Sequence, residues 1–584
     1  MSISEQVISL NLPVGISNFR EVVEDKNPVS GEGFLFVDKS LFIKEILADR
    51  SKTIVFTRPR RFGKSLNLSM LYNFFSGEVY GRTTKHLFKN LKISQDADCF
   101  SRQGQHPVIF ITLKDVRYAD MASCVDKFKL IISEVYKEFI PALQLDQPNN
   151  RDQQYIESII NRTASNADLE YALFKLSKIL YEYYGQKPIL LIDEYDTPIQ
   201  QSYLIGYYDQ LILFMKNFLG SSLKDNPFIE KSVLTGILRI SRESLFSGLN
   251  NVSVYSVLDK KYGQYFGFTE QETNELIEKT GLSPNLQHTK NWYNGYNFGG
   301  VTIYNPWSII EFLRNEGRLT AYWINTSSND IVKNLITNAN YNIQEDLQQL
   351  LAGRTIKKII SDHIVFNDLT TNREVIWGLL LMAGYLKHIS VEYDDFGHKL
   401  CELKLPNREV ENFYGSTVAQ WLAANQDLGW YREFLADLTT GRVAAFEEKL
   451  QTLIEESLSF HDVTKKSQEA FYHGLMLGLV VGLRDTHIIN SNKESGQGRY
   501  DVVIIPKDNS QLGIILEFKA VQLSSTVESW ETQLATAAQQ ALQQINQSKY
   551  VAELHNHGVE NICAMGVAFS SKVVKVIAAD SDIY

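Results

Sequence analysis

The feature that most constrains this chain lies near its start. A β-branched apolar run, residues 53–57, leads through Arg58-Pro59-Arg60-Arg61 into Phe62-Gly63-Lys64-Ser65 and a helical pattern over residues 66–75. Strand, loop and helix in that order put a helix N-terminus, with its unpaired N–H groups, directly behind the loop. Phosphate binds where such groups converge, where a Lys reaches the β/γ-phosphates and where a hydroxyl joins the Mg²⁺ shell. Phe62-Gly63-Lys64-Ser65 is the second half of the pattern GxxxxGK[ST], and Arg58 stands at its first Gly. Alone, this half-motif also fits an ordinary turn. Read as a P-loop, it makes Arg60, Arg61, Phe62, Gly63, Lys64, Ser65 and Leu66 the nucleotide-binding residues.

A second segment raises the specificity. Ile189-Leu190-Leu191-Ile192-Asp193-Glu194 reads as a buried strand ending in two acids. A carboxylate there holds the Mg²⁺ shell, and the next one orients the attacking water. Asp193 is thus the expected partner of Ser65 at the metal, and Glu194 the catalytic residue. The bland alternative is a strand followed by a solvated acidic turn. Asp196 is a weaker candidate that fits equally as a cap of the next element. Thr235 and Arg239 close another apolar run and suit a polar sensor and a γ-phosphate-reading arginine; a salt-bridged surface Arg fits the pattern as well. Further apolar runs at 108–113, 188–192 and 232–238 alternate with helical patterns at 124–139 and 169–184, which predicts a parallel α/β sheet.

A chain of 584 residues exceeds one ordinary core; roughly three or four compact units are expected. A net charge of −10 argues against a surface that grips nucleic acid everywhere, though not against a local basic channel. Cys99, Cys124, Cys401 and Cys563 lie far apart with no CxxC pair, so reduced thiols, a cytoplasmic location and no structural zinc are expected. The first residues carry no basic region followed by an apolar one, so no signal peptide is expected. The apolar runs 378–386 and 474–483 are too short to span a bilayer and read as buried helices, with no membrane partner. From about Gly263 aromatic and polar residues mix with Gly and Pro, and the region reads as largely helical.

The end of the chain holds a second constellation. Residues 498–505 read as a strand with Asp501 near its start, and 514–519 as a second strand, Ile514-Ile515-Leu516-Glu517-Phe518-Lys519. Glu517 and Lys519 are two apart and face the same side of a strand; Asp501 on a paired strand can complete the cluster. Two carboxylates can hold Mg²⁺, with Mn²⁺ as an alternative, and the Lys can position water or neutralise developing charge. A Glu-x-Lys on an edge strand is usually only a solvated face. Here Glu517 interrupts an apolar strand, where burial without a partner is costly. Glu469, on the expected helix 468–482, is a further metal-side acid. Gln544 on the later helix either contacts substrate or is an ordinary helix residue. No Lys/Arg-rich block marks a groove, and acids and bases are roughly balanced there. If the unit cuts DNA or RNA, the positive potential must come from another domain or from a homo-oligomer. His473, one helical turn after Glu469, His555 with His557 on one face of an expected strand, and Trp292 with Tyr296 as a base-stacking pair read better as ordinary packed or surface residues.

The motifs also resemble a known family. Phe36-Val37-Asp38-Lys39-Ser40, Arg58-Pro59-Arg60-Arg61-Phe62-Gly63-Lys64-Ser65, Leu191-Ile192-Asp193-Glu194-Tyr195-Asp196 and Thr235-Gly236-Ile237 resemble the bacterial AAA-ATPase-like family. So do Phe246-Ser247-Gly248-Leu249-Asn250, Tyr265-Phe266-Gly267-Phe268-Thr269, Trp292-Tyr293-Asn294-Gly295-Tyr296 and Tyr304-Asn305-Pro306-Trp307-Ser308. The resemblance implies that Arg habitually replaces the first P-loop Gly. It implies too a C-terminal domain of the PD-(D/E)XK nuclease superfamily, which residues 490–501 and Leu516-Glu517-Phe518-Lys519 resemble.

The expected plan is a P-loop AAA-like ATPase domain over 1–260, a helical lid or winged-helix-like region over 261–345, a helical connector over 346–458 and an α/β restriction-endonuclease-like domain over 459–584. Its expected activity is ATP binding and hydrolysis that controls a Mg²⁺-dependent nuclease, with genome defence or mobile-element biology implied by analogy. The rival is a nucleotide-switched scaffold or nucleic-acid-binding protein whose nuclease fold is inactive.

Overall fold

The computed structural model describes residues 11–26, 31, 33–143, 152–239, 252–282, 286–324, 332, 341–351, 353–361, 374–414, 428–457, 472, 476, 479–483, 486–491, 494–495, 498–499, 501–521, 529–548, 551–570 and 573–579. Contacts divide the chain into two compact units, one of residues 1–327 with 357–407, the other of 328–356 with 408–584. Residues 261–345 and 346–458 are each shared between the two units.

The first unit is built on five parallel strands: β1 (Thr53–Thr57), β2 (Val108–Thr112), β3 (Ile189–Asp193), β4 (Lys231–Gly236) and β5 (Val252–Tyr255), in the order β2-β3-β4-β1-β5. β1 and β3 are buried at every residue. Strands buried along their whole length are what a parallel sheet covered on both faces gives. The connecting helices include α1 (Lys64–Phe75), α2 (Met121–Lys137), α3 (Asn166–Tyr184), α4 (Thr197–Ile205) and α5 (Tyr208–Leu223). β1, β4 and β3 are neighbours, so their C-terminal ends, where ligands bind in open α/β sheets, lie side by side.

The region from Gly263 onward is rich in helix, as expected, and also carries strands that the sequence pattern does not announce. Beside helices α6 (Glu270–Lys279), α7 (Pro306–Arg314) and α8 (Val375–Met382) it carries two three-stranded sheets. One joins β6 (Phe268–Thr269), β7 (Tyr296–Phe298) and β8 (Val301–Tyr304); the other joins β9 (Ile356–Ile360), β10 (Lys387–Tyr393) and β11 (Lys399–Lys404). The β7–β8 hairpin turns on Gly299 and Gly300, both at positive φ, the Gly-Gly signature of a two-residue turn.

The second unit holds a mixed sheet of β12 (His487–Ser491), β13 (Val502–Pro506), β14 (Gly513–Ala520), β15 (Ile562–Ser570) and β16 (Val573–Ala578), in that order. Only the β14–β15 pair is parallel. Val502, Ile504, Ile514, Leu516 and Phe518 pack on one face with residues of α9 (Leu428–Thr439) and α10 (Val443–Ser457). Val503, Ile505 and Ile515 pack on the other with Leu542 and Ile545 of α11 (Trp530–Ser548). His555 lies in helix α12 (Val551–Asn556) and not in a strand, so His555 and His557 share no strand face. No helix among the described residues is long and apolar enough to cross a membrane.

Candidate functional site

The loop after β1 enters α1 through Gly63 at φ 81, with Arg61 also at positive φ. A Cβ on Gly63 would meet nothing within 4 Å, so it is the positive φ and not crowding that favours Gly here. Lys64 is buried, and its Nζ donates to the carbonyls of Arg58 at 3.0 Å and Pro59 at 2.9 Å. Burial lowers its ammonium pKa, while Glu194, Asp196 and Asp193 act in the opposite direction. Leu66 is half-buried in the first turn of α1.

Asp193, at the end of β3, is the hub of the site. Ser65 Oγ donates to its Oδ2 and Thr235 Oγ1 to its Oδ1, each at 2.6 Å. Burial raises its carboxyl pKa, opposed by these two hydroxyls. Ser65 and Asp193, expected from sequence to share a cation, are therefore in contact, and Thr235 joins them from the neighbouring strand. Glu194 stands next to this group with its backbone at φ 52. That conformation costs a non-Gly residue about 1–3 kcal/mol and clusters at functional sites. Thr197, which the sequence reading passed over, donates its hydroxyl to Glu194 Oε2 at 3.1 Å. Arg239 is half-buried and immediately precedes the undescribed residues 240–251.

The outer wall of the loop is aromatic. Arg58, 0% exposed, lies with its guanidinium 5.1 Å from the Phe266 ring centre and 5.3 Å from that of Phe298. Its Nη1 donates to the carbonyls of Thr57 and Tyr255, whereas Nε and Nη2 have no acceptor. Burial pulls its pKa down to about 9, so it remains cationic at neutral pH. The side chain that replaces the first P-loop Gly thus packs the loop against β5 and β7. Phe62 sits between Tyr296 and Phe298, Arg61 stacks over Trp307 at 4.2 Å, and the Arg60 carbonyl accepts from Trp323 Nε1 at 3.2 Å. Tyr296 is buried against Phe62, and Trp292 is buried in a separate core with residues of α6 and α7, so neither presents a face to a base.

In the second unit the strand period accounts for the cluster. Ile515, Glu517 and Lys519 alternate with Ile514, Leu516 and Phe518, so Glu517 and Lys519 face α11. Asp501 lies two residues before Val503, on the same face. Its Oδ2 accepts from Phe518 N at 2.7 Å, and its own N–H donates to Glu517 Oε2 at 3.3 Å. Glu517 is 3% exposed. Gln544 of α11 completes the group: its Nε2 donates to Glu517 Oε1, and its Oε1 accepts from Lys519 Nζ at 2.9 Å. One amide therefore ties the acid to the lysine. The helix reaches them because β15 offers Gly566, where a Cβ would lie 2.0 Å from Ala538 O and 2.6 Å from Leu542 N.

Gln544 was the residue that sequence reasoning undervalued. The signal was there in Ala537, Ala541 and Gln544, spaced i, i+4, i+7 on the face that meets the sheet. Glu469 and His473 lie outside the described residues. Among the described residues no group of three His, Cys, Asp or Glu side chains is arranged to hold a metal. Asp501 and Glu517 form a pair, which fits Mg²⁺, an ion that usually keeps several of its waters.

Comparison with known proteins assigns both regions. Residues 13–246 match the family described as Predicted AAA-ATPase, and residues 467–579 match the PD-(D/E)XK nuclease superfamily. The chain carries an AAA-ATPase-like domain and a PD-(D/E)XK nuclease superfamily domain. Asp193 and the loop around Lys64 fall in the first; Asp501, Glu517, Lys519 and Gln544 fall in the second. The whole arrangement has a relative in Azotobacter chroococcum mcd 1, an uncharacterized protein in the vnfD 5′ region, 26% identical over 571 residues and matched over 96% of each chain. The Aeropyrum pernix ORC2 protein, solved in ADPNP–ADP complexes, aligns over 65% of this chain and 93% of its own. At 12% identity and a TM-score of 0.22 that likeness has no weight for the fold.

Proposed function

We propose that the AAA-ATPase-like domain binds and hydrolyses ATP, and that its nucleotide state controls a metal-dependent nuclease acting on DNA or RNA in the C-terminal domain. The observation that supports this most is the cluster Asp501–Glu517–Lys519–Gln544 around the buried Glu517, because an acid 3% exposed in an otherwise apolar sheet, held by a backbone N–H and a side-chain amide beside a second acid and a lysine, is more than packing requires.

In the ATPase site Lys64 and the loop N–H groups hold the phosphates. Ser65 and Asp193 hold Mg²⁺, Glu194 positions the attacking water, and Thr235 with Arg239 reads the γ-phosphate. In the nuclease site Asp501 and Glu517 hold Mg²⁺ or Mn²⁺, with Glu469 as a third acid. Lys519 positions water or offsets developing charge. A divalent cation at either site supplies Lewis-acid stabilisation of the phosphoryl group and a more acidic water. Control requires that ATP and ADP favour different states of the protein. A cytoplasmic homo-oligomer would assemble the positive potential that the nuclease domain lacks, and defence or mobile-element biology would supply its substrates.

Gln544 also favours a second reading. It engages both Glu517 and Lys519, which suits a nuclease held off or a scaffold that no longer cuts. The test is incubation with labelled DNA and RNA, Mg²⁺ or Mn²⁺, with and without ATP, for wild type, Lys64→Ala and Asp501→Ala/Glu517→Ala. Cleavage lost in the double variant and altered by Lys64→Ala is the expected result. Cleavage that survives the double variant sinks the nuclease assignment. ATP binding without cleavage of any substrate favours the scaffold.

A further inference from the structure

Asp196 follows the acidic pair by two residues and stands at the N-cap of α4, yet its side chain makes no cap hydrogen bond to that helix. It turns instead to the loop that leaves the neighbouring strand β4. Its Oδ2 accepts from the backbone N–H groups of Ile237 and Leu238, each at 2.9 Å, and from Gln200 Nε2 at 2.7 Å. Tyr195 reinforces the link. Its backbone N–H donates to Thr235 O at 3.0 Å and its hydroxyl to Leu238 O at 2.6 Å. Gly236 is held from the other side, its carbonyl accepting from Arg58 N at 3.0 Å. The fit leaves no room for a side chain there: a Cβ on Gly236 would lie 2.7 Å from Asp196 Oδ1 and from Tyr195 Cε1.

The brace is an expensive one for a purely structural purpose. Asp196 is 1% exposed, and its Oδ1 has no hydrogen-bond partner. Burial raises its carboxyl pKa, opposed by the two backbone donors and then by Lys64. A Ser or Asn would cap α4 without burying a carboxylate. What the carboxylate achieves is to join the loop after β3 to the loop after β4, at the edge where Asp193, Thr235 and the P-loop meet. Arg239 is one residue past the second braced N–H.

We infer that Asp196 is a positioning residue for γ-phosphate recognition: it fixes the path of residues 236–239, and through them the approach of Thr235 and Arg239 to the terminal phosphate. This rests on the reading of the first unit as a nucleotide site. It adds to that reading a residue that touches no nucleotide and acts through backbone N–H groups.

The test is calorimetric titration of the full chain with ADP and with a non-hydrolysable ATP analogue, in Mg²⁺, for wild type, Asp196→Ala, Asp196→Asn, Arg239→Ala and Asp196→Ala/Arg239→Ala, with melting temperatures alongside. Asp196→Ala and Arg239→Ala should each cut the preference for the triphosphate about tenfold, the scale of one charge-assisted hydrogen bond. ADP affinity should stay within about twofold of wild type, since β-phosphate contacts are untouched. Asp196→Asn, which keeps an oxygen for both N–H groups, should restore most of the preference. The double variant should be no worse than Arg239→Ala, because coupled residues are non-additive. Several results would overturn the inference: an unchanged preference in Asp196→Ala, losses that multiply in the double variant, an Asn variant as poor as Ala, or a uniform fall in both affinities together with melting temperature. A wild type that binds both nucleotides equally would overturn it too. A wild type that binds neither nucleotide fails the site reading itself and the inference with it.

Discussion

The two centres hold their acids by opposite means. At the first, Asp193 sits at a strand end and is fixed by two hydroxyls, one from the loop-helix junction and one from the next strand. At the second, Glu517 lies within a strand, facing a helix, and is fixed by a side-chain amide from that helix and by a backbone N–H. Strand ends deliver residues through short loops, so the first site depends on backbone conformation. A strand face delivers residues only if the covering helix stands close enough, so the second depends on packing. Substitutions should therefore damage the two sites in different ways.

The largest effect separates the chemistry of the second site from everything else. Glu517→Ala should lower cleavage by at least about 10³-fold, because both metal holding and the Lys519 network lose their centre. ATP affinity should not move. Gln544→Ala should cost about 10–100-fold, the usual range for a partner that orients a metal ligand. Gln544→Glu should be worse than Ala, since it sets a second carboxylate against Glu517. Both are checked by initial rates on whichever labelled nucleic acid the wild type cuts. If Gln544→Ala instead cuts faster than wild type, the amide is a restraint and not a support.

Smaller effects probe the architecture. Gly566→Ala places a methyl 2.0 Å from Ala538 O, and overpacking of that kind costs about 1–3 kcal/mol. A denaturation curve should show the second unit weakened while ATP binding is retained. Gly63→Ala meets no atom within 4 Å, so its cost comes only from φ 81, about 1–2 kcal/mol. It should weaken ATP binding, measured calorimetrically, and leave metal-dependent cleavage in the absence of nucleotide unaltered. If the two glycines behaved alike, the contrast between a backbone-dependent and a packing-dependent site would fail.

That contrast also explains what could be read from the sequence. The first site was legible because Phe62-Gly63-Lys64-Ser65 and Asp193-Glu194 are contiguous strings whose backbone context is local. Arg58 was legible as a replacement but not as a packing residue, because Phe266 and Phe298 meet it only after the chain folds back. The alternation of Ile515, Glu517 and Lys519 gave the facing of the second site, whereas its third component depended on how closely α11 approaches at Gly566. Asp196 looks like a cap because its position allows one; beside Gln200, its donors are the backbone N–H groups of Ile237 and Leu238, about forty residues away. Two three-stranded sheets are not announced by the sequence of the accessory region, although Phe298-Gly299-Gly300-Val301 is a hairpin string, because the aromatic and helical patterns around it dominate.

The smallest predicted effect follows from electrostatics at the first site. Burial raises the Asp193 carboxyl pKa and lowers that of the Lys64 ammonium. Mg²⁺·ATP requires Asp193 ionised and Lys64 protonated, and burial makes each of these charges less favourable than it is on an ordinary aspartate or lysine. Affinity depends on the free-state values through linkage. As pH falls, Asp193 is protonated earlier than an ordinary carboxyl, and affinity declines on the acid side. As pH rises, Lys64 loses its proton earlier than an ordinary lysine, and affinity declines on the basic side. The plateau of ATP affinity is therefore narrower than the interval between ordinary carboxyl and lysine values, and closes in from both ends. Thr235→Val removes one of the two hydroxyls that oppose the rise of the Asp193 pKa, so it should move the acid limb upward and leave the basic limb in place. Calorimetric ATP titrations across pH decide this. An acid limb that stays put in Thr235→Val would mean that the hydroxyl does not stabilise the Asp193 charge, and the first site would then lose its claim to be held by side-chain donors.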